Sequence, residues 1–154
     1  MPFGGLSLKR TLVLLLVALT VTSLSPALAG AGSSRAKLLL RKTAKGTILV
    51  NGRGFTLYAF TTDKRNYDSC VKKSGCLAAW PAVTTGGTPI AGSGVRSSLI
   101  GTIKLGNGRR QVTYAGHPLY TYIADRHPGQ TNFVNILSFG GRWPTVSAAG
   151  HEVK

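Results

Sequence analysis

FTLYAFTTD at residues 55–63 and HPLYTYIAD at residues 117–125 are one phrase written twice, and their spacing decides the fold. At an offset of 62, Leu57 falls on Leu119, Tyr58 on Tyr120, Phe60 on Tyr122 and Asp63 on Asp125. Working outward toward the N-terminus, Gly54 falls on Gly116, Val50 on Val112 and Gly46 on Gly108 at the same offset. Toward the C-terminus, Trp80-Pro81-Ala82-Val83 falls on Trp143-Pro144-Thr145-Val146 at an offset of 63, so one residue was gained between the anchors. Matched anchors at a fixed period are the mark of a tandem duplication. Repeat one covers about residues 36–84 and repeat two about residues 98–147. TTGGTPIAGSG, about residues 84–94, reads as a Gly/Pro-rich connector.

Each copy reads as β-structure. ILV, the turn NGRG and FTLYAF predict a hairpin at residues 48–60, with Leu57 and Ala59 on one face and Tyr58 and Phe60 on the other. In the second copy GTIKL, the turn GNGR, RQVTY, a tight Ala115-Gly116 link and PLYTYI predict a three-stranded meander. Asn107-Gly108 suits the positive φ angles of a hairpin turn. By the repeat, AKLLLRK at residues 36–42 is the matching first strand of copy one. GCLAAW at residues 75–80 is the one helical candidate beyond the N-terminal segment, about a turn long, and Pro81 stops it by disfavouring helical geometry at Trp80. The expected class is all-β with a minor helix: two ~60-residue meanders packed as one pseudo-twofold sandwich or barrel-like domain.

The N-terminus reads as a targeting segment. Lys9-Arg10 ends a positive region, residues 11–24 are an apolar run, and Ala27-Leu28-Ala29 offers the small residues of a cleavage site. Residues 1–29 are therefore expected to be a signal peptide cleaved after Ala29, and residues 30–154 a single mature domain. The apolar run is shorter than the ~20 residues a membrane span needs. In an oxidising compartment Cys70 and Cys76, which enclose VKKSG, read as a disulfide rather than a redox dithiol.

The twice-occurring Y-x-[FWY]-x-x-D (YAFTTD and YTYIAD), each followed by Trp-Pro, with a cysteine pair before the first Trp-Pro, resembles a bacterial family of secreted repeats. The family includes predicted lipoproteins bearing this Yx(FWY)xxD motif, and the resemblance spans essentially all of residues 30–154. It implies a secreted or envelope-associated protein and assigns no reaction. No cysteine stands directly after the expected cleavage site, where a lipidated one would be, so the chain resembles the freely secreted branch.

The motif residues Tyr58, Phe60, Asp63, Tyr120, Tyr122 and Asp125 admit two roles. They are an aromatic platform for a flat ligand, oriented by the aspartates, or they build the fold, each Asp taking backbone N–H groups or a buried Tyr hydroxyl across the pseudo-twofold axis. Recurrence in both copies favours the second. Trp80, Pro81, Trp143 and Pro144 are expected to be structural. His117 and His127, with Asp125, are weak candidates for a metal site, because Phe55 stands where His117 would recur and no HxH or HxxxH spacing exists. His151 and the lone glutamate, Glu152, lie in a tail expected to fray. No G-x-S-x-G elbow occurs, the glycines of GNGRR and FGGRW open no helix, and no catalytic residue is assigned.

Charge is the remaining signal. The 154 residues hold 19 Lys+Arg against 4 Asp+Glu, a net charge of +15. Four carboxylates argue against a multi-carboxylate active site or an oxygen-rich calcium cage. Export removes nucleic acid from the reachable partners and leaves anionic cell-wall polymers or lipid headgroups. The expected function is a non-catalytic, monomeric binding module with affinity for anionic envelope material and no cofactor. The rival is a small extracytoplasmic carrier of a metal or redox cofactor.

Overall fold

A computed structural model describes residues 1–4 and 34–154. The chain divides into the units Met1–Gly30 and Ala31–Lys154, and the architecture below is that of the second. The expected signal peptide and its cleavage after Ala29 lie outside the described residues.

Repeat one opens with the hairpin β1 (Lys37–Thr43) and β2 (Gly46–Asn51), in register from Leu38↔Asn51 to Thr43↔Gly46. Asn51 ends β2 by taking the N–H groups of Arg53 and Phe55 on its side-chain oxygen, and the chain turns back at Thr56. α1 (Cys76–Ala79) is the expected single turn and stops at Trp80. The connector is more than a tether: it carries β3 (Thr84–Thr85) and β4 (Ile90–Ala91). β4 lies parallel to β1, giving the order β2-β1-β4.

Repeat two holds β5 (Ile100–Lys104), β6 (Arg110–Tyr114) and β7 (His117–Pro118), the expected meander, with β3 completing the order β3-β6-β5 and β7 also on β6. Ala115 (φ 50°) and Gly116 (φ 87°) form the β6–β7 turn, which needs positive φ at both central residues. β8 (Leu137–Ser138) pairs with β9 (Gly141–Arg142), and β10 (Thr145–Val146) with β11 (Glu152–Val153). The C-terminal tail is thus paired, not frayed, and Tyr114 donates its hydroxyl to the Ala148 carbonyl at 2.7 Å. The protein is mostly β, in several small sheets, none of them closed into a barrel.

The two repeats are interleaved rather than set face to face. Tyr58 and Tyr120, equivalent residues, exchange both backbone hydrogen bonds, each N–H reaching the other's carbonyl at 2.9 Å. From this centre the pattern repeats on either side. The Ala59 N–H donates to Pro144 O (2.9 Å) as Thr121 donates to Pro81 (3.0 Å), and Thr61 donates to Arg142 (3.0 Å) as Ile123 donates to Ala79 (3.1 Å). Each motif strand therefore pairs with the Trp-Pro segment of the opposite repeat, and the pseudo-twofold axis runs between the two tyrosines.

Both faces of the crossing are buried. Leu57, Ala59 and Leu119 enter an aliphatic core with Leu38, Leu49, Val112, Tyr114 and Val146. Tyr58, Phe60 and Tyr120 enter a second core with Trp80, Trp143, Val134 and the Cys70–Cys76 disulfide, whose Cα atoms are 5.5 Å apart. The alternation of FTLYAF sorts side chains between two cores, not between core and water.

Candidate functional site

The repeated motif builds a ring column on the pseudo-twofold axis. Trp80 and Trp143 stack with centroids 3.9 Å apart and planes 2° apart. Phe60 covers the outer face of Trp143 at 4.1 Å, and its equivalent Tyr122 covers Trp80 at 4.0 Å. Tyr58 meets the edge of Trp80 at 5.1 Å, as Tyr120 meets Trp143 at 5.2 Å. Tyr58, Phe60, Tyr120 and both tryptophans are at most 2 % exposed. Their faces are occupied by one another, and half-buried Tyr122 is further covered by Phe133 at 4.7 Å. Aromatic pairs in these geometries add about 0.5–1.5 kcal/mol each beyond the area they bury.

The aspartates close the motif crosswise. Tyr120 of repeat two donates its hydroxyl to Asp63 Oδ2 of repeat one at 2.7 Å. Tyr58 of repeat one donates to the Asp125 carboxylate of repeat two, 3.1 Å from Oδ2 and 3.3 Å from Oδ1. Asp63 also takes the N–H and the hydroxyl of Ser69 on Oδ1, both at 2.8 Å, which anchors the loop leading to Cys70. Burial raises the Asp63 pKa, with the Asp68 charge adding and the Ser69 and Tyr120 bonds opposing. Burial likewise raises Asp125, to about 6, against the opposing Tyr58 bond. Both tyrosine hydroxyls are pushed far above the ordinary phenol range by burial and then by the facing carboxylates. These phenols stay protonated and serve as donors.

Asp68 escaped the sequence reading. It is 4 % exposed, takes the Val71 N–H on Oδ1 at 3.1 Å, and sits close enough to bear on Tyr120 and Asp63. Gln111, mid-strand in β6, is buried too and donates from Nε2 to the Leu119 carbonyl at 3.1 Å. Neither residue belongs to a repeated pair, and repetition was the signal that singled out the others.

The histidines do not converge with the motif into a metal cage. His117 is half-buried at β7 and shares with Asp63 the lining of a 210 Å³ cavity, while His127 and His151 are exposed. Among the described residues, no group of three or more His, Cys, Asp and Glu side chains is placed to hold a metal ion. No described helix is long and apolar enough to cross a membrane.

The cations lie at the surface. From Arg35 to Lys154 every Lys and Arg is exposed, save half-buried Lys73. Three of the four acidic residues face hydroxyls and backbone N–H groups instead, and the fourth, Glu152, lies in β11.

A family model described as a secreted repeat of unknown function matches residues 40–84 and again residues 101–147, one match per repeat and more than half of the chain together. No curated protein and no solved structure matches the chain.

Proposed function

The chain belongs to that family of secreted repeats, and from this premise we propose that it is a non-catalytic, monomeric binding module held on anionic envelope material by its charge. In this reading residues 1–29 are removed after Ala29 and the mature protein is residues 30–154. One observation supports the reading above the rest: the carboxylates are turned onto tyrosines and loop amides, so the outward-facing charge is almost wholly positive. Without Lys9 and Arg10, the mature chain holds 17 basic and 4 acidic residues, a net +13. An unbalanced surface of one sign attracts polyanions through a field that salt screens over about 10 Å at 0.1 M.

The motif has its own role here. Tyr58, Phe60, Asp63, Tyr120, Tyr122 and Asp125 lock the two repeats together and leave the outer surface free to bind. The test is fractionation of the producing cells. The protein is expected in the medium and on isolated envelopes, with the envelope-bound share released by a salt wash and retained through a chelator wash. Its intact mass should be that of residues 30–154 less two hydrogens. Release by chelator but not by salt would overturn the proposal.

A further inference from the structure

A cavity lies away from the aromatic crossing, between the connector and the second repeat. This cleft of about 520 Å³ is bounded by residues 86–89 of the connector, by Ser97 and by residues 100–102 of β5, with Arg110 of β6 at its side. From its geometry we infer that it is a specific seat for a phosphodiester of an extracellular polyol phosphate chain, with Arg110 as its clamp. The inference rests on the envelope-binding reading above and gives it an address.

Arg110 is pre-set for this task. Its Nε (3.2 Å) and Nη2 (2.7 Å) both donate to Thr102 Oγ1, which fixes the plane of the guanidinium. Two of its five N–H groups are thereby engaged, and the fork between Nη1 and Nη2 keeps donors for a second acceptor. Such a fork matches the two non-bridging oxygens of a phosphodiester, and a bidentate charge-assisted pair is the strong form of this contact.

Its neighbours add to the case. Lys104, opposite Arg110 on β5 but outside the cleft lining, makes a like-charged pair with it that costs stability in a sheet. On the other side Thr85 of β3 faces Arg110. The rim is held by another cation: Arg35 donates from Nε to the Thr88 carbonyl at 2.7 Å. None of the four acidic residues lines the cleft.

The lining also discriminates between anions. A planar carboxylate is satisfied by the fork alone, whereas a tetrahedral phosphodiester and its flanking polyol can use further hydroxyl partners. Thr88 and Ser97 supply these. A lipid bilayer is disfavoured, because both tryptophans are buried and the cleft carries no aromatic side chain to enter an interface. The cavity falls within the roughly 300–1,000 Å³ range of small-ligand sites, enough for more than a lone phosphate.

The test compares the wild-type protein, Arg110→Gln and the charge-matched control Lys45→Gln, which alters an exposed turn in repeat one. Affinity for poly(glycerol phosphate) is measured by calorimetry at fixed salt, with melting curves to establish that each variant is folded. R110Q should lose about tenfold, and K45Q less than twofold. Equal losses for the two variants would overturn the cleft while leaving the charge-based reading intact. Failure of the wild-type protein to bind the polymer at low salt would overturn both. Two further arms use polygalacturonate and phosphatidylglycerol vesicles. Arg110-dependent binding to either that matches or exceeds binding to poly(glycerol phosphate) would overturn the assignment of the ligand.

Discussion

Tyr58 and Tyr120 are equivalent in sequence, yet their carboxylate partners are not equally supported. Asp63 keeps two bonds from Ser69 if Tyr120 loses its hydroxyl, whereas Asp125 is left without the one side-chain donor it has. Tyr58→Phe and Tyr120→Phe should each cost about 1–3 kcal/mol in denaturant unfolding. Only Y58F should push the Asp125 titration clearly higher, since its hydroxyl is what opposes burial there. Carboxyl-carbon NMR titration of both variants checks this. The wild-type pH dependence has a fixed sign. Asp125 titrates near 3.8 when unfolded and at about 6 when folded, so between these values the folded state holds more protons. Its contribution to stability is therefore full below about pH 4 and falls as pH rises to about 6. Asp125→Asn should remove this part of the slope in melting temperature against pH. The Tyr–Asp pairing was legible because both members recur at one offset, but Asp68 recurs nowhere and its burial is a product of the fold alone.

At the scale of the element, the tryptophan stack carries the crossing. Trp80→Ala or Trp143→Ala should cost about 3–5 kcal/mol, read from chemical unfolding. Because the rings contact each other, the double variant should cost less than the two single losses added. Reducing the Cys70–Cys76 bond, or replacing both cysteines with serine, should lower stability by about 2 kcal/mol. A wild-type melting curve after reduction would show that the bridge adds nothing to the core it borders. The hairpins and the single helical turn were readable, because alternation, Asn-Gly and Pro81 act locally. β3 and β4 were not, since two-residue strands are too short to show a period. Nor was the exchange of partners: alternation reveals which side chains share a face, not which strand lies alongside. Leu57 and Tyr58 were correctly assigned to opposite faces, but nothing local to them specifies the Pro144 and Arg142 carbonyls beside their strand.

On the scale of the whole molecule, crossing and charge are complementary. Interleaving closes the apolar and acidic groups inside, and the cations are what remains to meet the environment. From Tyr58 and Tyr120 onward each motif strand takes its backbone partners from the opposite repeat, so neither repeat alone completes the hydrogen bonds of that stretch. Residues 34–94 and residues 95–154 expressed separately should each lack native near-UV circular dichroism, and mixing them should restore it. A native signal from either half alone would refute the interleaving. The surface is the more direct route to function. The decisive measurement is the affinity of the secreted protein for poly(glycerol phosphate) over a salt series, with and without a chelator. Binding should weaken steeply and continuously with salt and be indifferent to chelator. Affinity that persists at high salt, or that disappears with the chelator, would contradict the charge-based reading.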